Sequence, residues 1–226
     1  MDFVLVHGAW YAGWSWREVA DALREQGHQA HVVEQLPSGG LDPATFGDVA
    51  ADVTHVRDLI DGLDRDVVLV GHSYGGIVVG ELADHPRVRH TVFLAAFRPR
   101  RGENLLDIRS PHPEEWIVPR EDGTLHVTGD HALARKVLAP DLDEAVFAGV
   151  HEQRHAHAAL TFTEPATGPE RTHPVTYVVC ERDEAIFPVD QEKMAAGADH
   201  VVRLDAPHLA PLTHPREVAD LLAGTR

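Results

Sequence analysis

Six short, nearly unbroken apolar runs, alternating with stretches of helical period, constrain this chain more than any other feature of its sequence. The runs are FVLVHG (3–8), QAHVVEQ (29–35), DVVLVGHS (66–73), HTVFLAAF (90–97), PVTYVVCE (174–181) and HVVRLDA (200–206). A sheet with one wet face would alternate apolar and polar residues. Strands covered on both faces read instead as continuous Val- and Leu-rich runs. The stretches between them carry the helical signature. In SWREVADALREQG (15–27), Val19, Ala20 and Leu23 share one face, and Gly27 stands where a C-terminal cap belongs. In TFGDVAADVTHVRDLIDGL (45–63), Val49, Val53, Val56 and Ile60 recur at three- and four-residue steps. YGGIVVGELADH (74–85) predicts a third helix, and others fall near 188–196 and 215–223. The alternation predicts an α/β chain, a doubly wound, mostly parallel six-stranded sheet with helices on both faces.

One segment breaks the alternation. Residues 98–172 separate the fourth strand from the fifth, far more than the usual connection of about 4 to 6 residues. Within it, EEWIVPREDGTLHVTG predicts a hairpin turning at Asp122-Gly123. DHALARKVLA and DLDEAVFAGVHEQ predict helices, the second opening on the capping-box pattern Asp141-x-x-Glu144. The segment is expected to form a cap inserted over one edge of a core built from 1–97 and 173–226.

The bulk numbers exclude some functions. A formal charge of −16 lacks the basic footprint of a nucleic-acid-binding chain. No apolar stretch approaches the roughly 18 to 20 residues of a membrane helix. The chain enters an apolar run at Phe3 with no basic leader, so a cytoplasmic protein is expected. The one cysteine, Cys180, cannot form an intrachain disulfide and is expected to be buried in a strand.

The third run leads into Gly71-His72-Ser73-Tyr74-Gly75-Gly76. Gly-x-Ser-x-Gly between a strand and a helix forces a tight reversal that lifts the serine hydroxyl to the carboxyl edge of the sheet. Side chains at Gly71 and Gly75 would collide with the neighbouring strand or helix. A purely structural glycine turn is the competing reading. A phosphate loop would require a lysine that is missing, and the dinucleotide fingerprint has different glycine spacing.

A nucleophilic serine needs a base and an acid to orient it, on loops after later strands. His208, in DAPHLAP after the last run, is the expected base; His200 opens that strand and His214 opens the terminal helix. Asp183, in CERDEAIFP, is the expected acid, with Glu181 and Glu184 on the same loop. The backbone N–H groups of Tyr74 and Ala9 are the expected oxyanion donors, Gly8 allowing close approach in HGAWYAGWSW. Of Trp10, Trp14 and Trp16, one could line the pocket. Leu105, Leu106, Trp116, Ile117, Val146 and Phe147 are the cap's candidate lining residues. A rival metal site would use His151, His155 and His157 on one predicted cap helix, the first two at i and i+4. No acidic third ligand stands at useful spacing, and no metal or other cofactor is expected.

Taken together, FVLVHGAWYAGWSW, VLVGHSYGG, TVFLAAFRP and ERDEAIFPVDQ resemble the α/β-hydrolase branch that includes plant methylesterases, hydroxynitrile lyases and many bacterial esterases. The resemblance spans nearly the whole chain and is weakest across the cap. It implies an α/β-hydrolase fold without the two leading strands of larger members. It also implies a Ser73–Asp183–His208 triad, Pro188 setting the acid at Asp183, and oxyanion amides at Ala9 and Tyr74. The lyases of this branch carry a threonine hydroxyl and a lysine at the positions of Gly8 and Leu209, neither of which offers a polar side chain. Gly8, Leu209 and Trp116 are the expected substrate-contacting residues. The implied activity is hydrolysis of small carboxylic esters through an acyl-enzyme. The alternatives are a lyase of the hydroxynitrile type and a non-hydrolytic binding protein on the same fold. The expected partner is a small-molecule ester, with neither nucleic acid nor membrane, and a homodimer is the protein assembly considered.

Overall fold

The computed structural model describes residues 1–225. In chain order, β1 is Asp2–Val6, α1 Arg17–Glu25, β2 Gln29–Val32, β3 Gly39–Gly40, α2 Val49–Asp61, β4 Val67–His72, α3 Gly75–Gly80 and β5 Val88–Leu94. The segment that follows holds α4 Leu105–Ile108, β6 Ile117–Pro119, β7 Thr124–Val127, α5 His131–Leu138, α6 Glu144–Glu152 and β8 Ala156–Ala158. β9 Val175–Cys180, α7 Pro188–Ala195, β10 His200–Leu204, α8 Ala210–Thr213 and α9 Pro215–Gly224 complete the chain.

Six strands form one sheet in the order β10-β9-β5-β4-β1-β2, every adjacent pair parallel. The apolar runs are continuous because both faces are covered. Phe3, Leu5, Val68, Val70, Val92 and Val178 join one buried cluster with Trp16, Leu23 and Leu222. Their neighbours Val4, Val6, Leu69, Phe93, Tyr177 and Val179 join the other, with Val56, Ile60 and Val78. The edge strand β10 is the exception, with Val201 and Val202 exposed. Among the described residues, no helix is long and apolar enough to cross a membrane.

The order places a switch point between β1 and β4. From β1 the chain runs outward to β2, returns to β4, and continues the other way through β5, β9 and β10. In open parallel sheets, ligands bind beyond the carboxyl ends of the strands at such a point, because loops leaving in opposite directions open a crevice there.

Residues 105–158 contribute most of a second, four-stranded sheet, β3-β8-β7-β6. The hairpin turns where expected, with Gly123 at φ +80°. β3 comes from the first half of the chain and pairs antiparallel with β8, so a two-residue strand stitches the inserted segment to the core.

Three sequence expectations are corrected. The third helix ends at Gly80 and continues as turns. The capping box at Asp141 does not form: α6 begins at Glu144 behind Asp143, and Asp141 instead accepts two hydrogen bonds from Arg182, both 2.7 Å. A charged partner outcompetes a solvated cap. A capping box does occur at Asn104 and Asp107. Finally, His151, His155 and His157 do not share a helix, because α6 stops at Glu152 and His157 lies in β8. Among the described residues, no three His, Cys, Asp or Glu side chains cluster as metal ligands.

Candidate active site

Ser73 stands immediately after β4, at φ +53°. A left-handed conformation is unfavourable for a residue with a Cβ and persists only where the surroundings enforce it. Here they do. The Ser73 N–H donates to the Leu94 carbonyl at 3.3 Å, and the Ser73 carbonyl accepts from Gly76 and Phe97 amides, both at 3.0 Å. A Cβ on Gly75 would sit 2.8 Å from the carbonyl oxygens of Val6 and His7, so β1 can lie against the bend only if that residue is glycine.

The loops after β9 and β10 bring two distant side chains to the same place. The Ser73 hydroxyl donates to His208 Nε2 at 3.0 Å, and His208 Nδ1–H donates to Asp183 Oδ2 at 2.7 Å. All three are nearly dry, at 6%, 4% and 1% exposure. Asp183 is held from several sides. Its Oδ1 accepts from the Ala185 and Ile186 amides at 2.7 and 2.8 Å, and its Oδ2 also accepts from Gln191 Nε2 at 2.9 Å. Glu181 and Glu184 are exposed. The loop's competing acids are thereby separated by their surroundings.

Neighbouring histidines fix this arrangement as neutral spacers. His72 Nε2–H donates to the His208 carbonyl at 2.9 Å. Burial, reinforced by the His208 ring, lowers its pKa to about 3. His7 Nδ1–H donates to the Gly8 carbonyl at 2.8 Å while Nε2 accepts from the Leu36 amide at 3.2 Å. Burial lowers its pKa to about 4. Both tautomers are thus set by their partners.

The loop after β1 passes across the bend. Trp10 adopts φ +66°, held by its indole N–H donating to Leu125 at 2.9 Å and its carbonyl accepting from the His155 amide at 2.7 Å. Ala9 and Tyr74 line the cavity at Ser73. Among the described residues, neither of their amides has a hydrogen-bond acceptor. Behind the bend, Asp52 is fully buried and accepts from the Tyr74 hydroxyl at 2.6 Å, the Ser38 hydroxyl at 2.6 Å and the Ser38 amide at 2.8 Å. Burial raises its pKa, against the lowering effect of those donors.

The cavity at Ser73 is a narrow slot of about 10 Å³, room for about one water. Trp10, Phe97, Trp116, Ile117, Phe162 and Ile186 give it an apolar wall. Of the expected lining residues, Trp116 and Ile117 are present. Leu105 and Phe147 are packed inside the core, and Leu106 and Val146 face solvent. Leu209 is also core-packed, not in the cavity wall, because its amide is tied to the Leu138 carbonyl at 2.9 Å. Gly8 lies against the nucleophile: a Cβ there would meet Ser73 Cβ at 2.9 Å.

Sequence reasoning overlooks Asp52, Gln191 and Arg109, which also lines the slot. Asp52 leaves a signal, being an acid on the apolar face of α2, three residues after Val49 and four before Val56. Gln191 and Arg109 leave none.

A model of the alpha/beta hydrolase family matches residues 3–221. The carbendazim hydrolyzing esterase of Nocardioides sp. is 38% identical over 140 residues, an alignment covering 59% of this chain and 55% of that protein. Polyneuridine aldehyde esterase of Rauvolfia serpentina is 28% identical over 97% of this chain and 93% of its own. Among solved structures, a pyrethroid hydrolase from Sphingobium faniae superposes with a TM-score of 0.84 at 21% identity, covering 99% of this chain and 96% of that one. That last likeness speaks to fold alone. With the sheet order, the left-handed serine after β4 and a match running through both halves of the core, the chain belongs to the alpha/beta hydrolase family.

Proposed function

We propose that the protein is a serine hydrolase of small carboxylic esters, with Ser73 as nucleophile, His208 as general base and acid, and Asp183 as its orienting carboxylate. One observation carries this reading: a dry hydrogen-bonded chain from Ser73 through His208 to Asp183 ends at a cavity flanked by two unengaged amides. Related proteins named as esterases support the same chemistry.

His208 Nε2 takes the hydroxyl proton as Ser73 Oγ bonds to the ester carbonyl carbon. The Ala9 and Tyr74 amides stabilise the developing oxyanion. His208 then returns the proton to the departing alkoxide as the C–O bond breaks. Water repeats the sequence on the acyl-enzyme, releasing the acid and restoring Ser73. Asp183 holds the ring in the tautomer that leaves Nε2 free to accept.

Residues 98–172 act as a cap in this scheme. They supply Arg109, Trp116, Ile117 and Phe162 to the slot, and a cavity of about one water admits an ester only when that wall shifts. The single cysteine, free and buried, fits a cytoplasmic setting.

Ser73→Ala is expected to reduce p-nitrophenyl acetate hydrolysis by about 10⁴-fold or more while leaving the urea midpoint near wild type. A serine-directed fluorophosphonate should add one equivalent, on the peptide containing Ser73. Turnover that survives the substitution, or label on another peptide, would remove the reading.

A further inference from the structure

Arg109 follows α4 and lies at a seam. The residue lines the slot at Ser73 on one side. On the other it lines a cleft of about 760 Å³ bounded by Arg98, Arg100 and Lys193. It is half-buried, yet among the described residues it has neither an ion-pair nor a hydrogen-bond partner. A partly desolvated guanidinium without a counter-ion is costly, and proteins normally pair it.

The nearby carboxylates are already engaged. Asp190 accepts from the Ser110 amide at 2.7 Å, the Ser110 hydroxyl at 2.9 Å and Lys193 at 2.8 Å. Asp107 accepts from the Asn104 amide at 2.9 Å, and Glu103 from the Arg100 amide at 2.8 Å. Burial lowers the Arg109 pKa, and no neighbouring acid acts to raise it. The cleft carries four cations against three carboxylates, in a chain whose net charge is −16. Its sign is locally inverted.

A second residue of the slot wall also carries an unsatisfied donor. Trp116 is 3% exposed, and its buried indole N–H has no partner. The remaining wall is apolar apart from Ser73 and His208, with no Asp or Glu side chain in it. Two residues of the slot wall, Arg109 and Trp116, thus carry donors without protein acceptors, and no carboxylate lines the slot to meet them.

We infer that Arg109, with the Trp116 indole, receives a carboxylate on the substrate, so that the preferred esters are anionic half-esters of dicarboxylic acids. The inference rests on the serine-hydrolase reading for its reaction and on Arg109 for its selectivity. A guanidinium at the seam pairs with a carboxylate in bidentate fashion and lets the rest of the chain lie along the apolar wall toward Ser73. A neutral diester of equal length makes the same apolar contacts and leaves both donors unpaired.

The test compares monomethyl adipate with dimethyl adipate. Wild type should favour the half-ester in kcat/KM. Arg109→Gln should reduce that ratio by about 10- to 100-fold, chiefly through KM, and Arg109→Lys should restore part of it. Trp116→Phe should lower the ratio by a smaller factor. Calorimetric titration of monomethyl adipate into Ser73→Ala, with and without Arg109→Gln, reads the same pairing without turnover. Weaker binding by at least tenfold in the double variant is expected. Equal preference for the two esters in wild type, or identical binding by the two Ser73→Ala proteins, overturns the role of Arg109. Absence of all ester turnover, including p-nitrophenyl acetate, would instead strike the hydrolase reading, and the titration would still decide whether Arg109 holds a carboxylate.

Discussion

At the scale of single residues, the site is governed by what is absent as much as by what is present. Gly8 has no side chain, and a Cβ there would lie 2.9 Å from Ser73 Cβ and 3.2 Å from His72 Nδ1. Contacts that short force movement, and neither neighbour yields without straining the bonds that hold it. Ser73 is pinned by three backbone hydrogen bonds, and His72 is held by the His208 carbonyl. Gly8→Ala should therefore displace the nucleophile or the loop carrying the Ala9 amide by a few tenths of an ångström. Misplacement of about 1 Å can cost about 100-fold in rate, so a loss of about tenfold or more in kcat is expected, with a smaller effect on folding. Steady-state kinetics with p-nitrophenyl acetate beside a urea titration separates the two effects. An alanine variant turning over at the wild-type rate would show that the bend has slack the geometry denies.

At the scale of elements, α7 does more than cover β9. Its Gln191 is fully buried. Gln191 Oε1 accepts from the Cys180 amide at 2.9 Å and Nε2 donates to Asp183 Oδ2 at 2.9 Å, tying the end of a strand to the acid of the loop beyond it. Gln191→Leu preserves the size of the side chain but removes partners from the buried Cys180 amide, Asp183 carboxylate and Ile186 carbonyl, each stranded group costing about 1–3 kcal/mol. Urea unfolding should register that loss, and kcat should fall while KM holds, because no residue of α7 lines the Ser73 slot. An unchanged kcat would reduce α7 to packing. Nothing in the sequence announces Gln191: a glutamine one turn into an amphipathic helix reads as surface. The strands, by contrast, are legible, because burial on both faces writes itself as continuous Val and Leu, and the bend at Ser73 is legible because its glycines are sterically required. The cap is partly so. Its hairpin follows from Asp122-Gly123, but the start of α6 is set by the Arg182–Asp141 pairing across about forty residues of chain, which no local pattern records. Arg109 is invisible for the same reason, since its meaning lies in the acids that are already engaged elsewhere.

At the scale of the whole molecule, the fold buries histidines in neutral form, and this makes its stability depend on pH in a definite direction. Burial lowers the pKa of His7 to about 4 and those of His72 and His157 to about 3, against about 6.5 in an unfolded chain. The unfolded state therefore takes up protons first as pH falls below about 6.5, while the native rings stay neutral. The stabilisation they confer is complete above about 6.5 and drains away toward pH 4 and below, by about 1.4 kcal/mol per pH unit for each ring. With the buried His151, its pKa also lowered to about 4, four such groups give a slope of about 5 kcal/mol per unit, large against a total stability of about 5–15 kcal/mol. Asp52 acts with the opposite sign. Its raised pKa means that ionisation is resisted in the native state, so part of the loss is recovered as it protonates. The rings outnumber it, and acid unfolding should set in within the window between about pH 6 and 4. Urea midpoints measured in half-unit steps from pH 7.5 should hold steady to about 6.5 and then decline. His157 Nε2 lies 3.0 Å from the Thr161 hydroxyl, and the residue does not itself line the Ser73 slot, its ring packing behind Tyr74 at 4.5 Å, so His157→Gln can keep a polar contact while removing one titration. It should flatten the decline by about a quarter. A midpoint that stays level from pH 7 to pH 5, or a variant with the full wild-type slope, would mean that the buried rings do not control the acid limb.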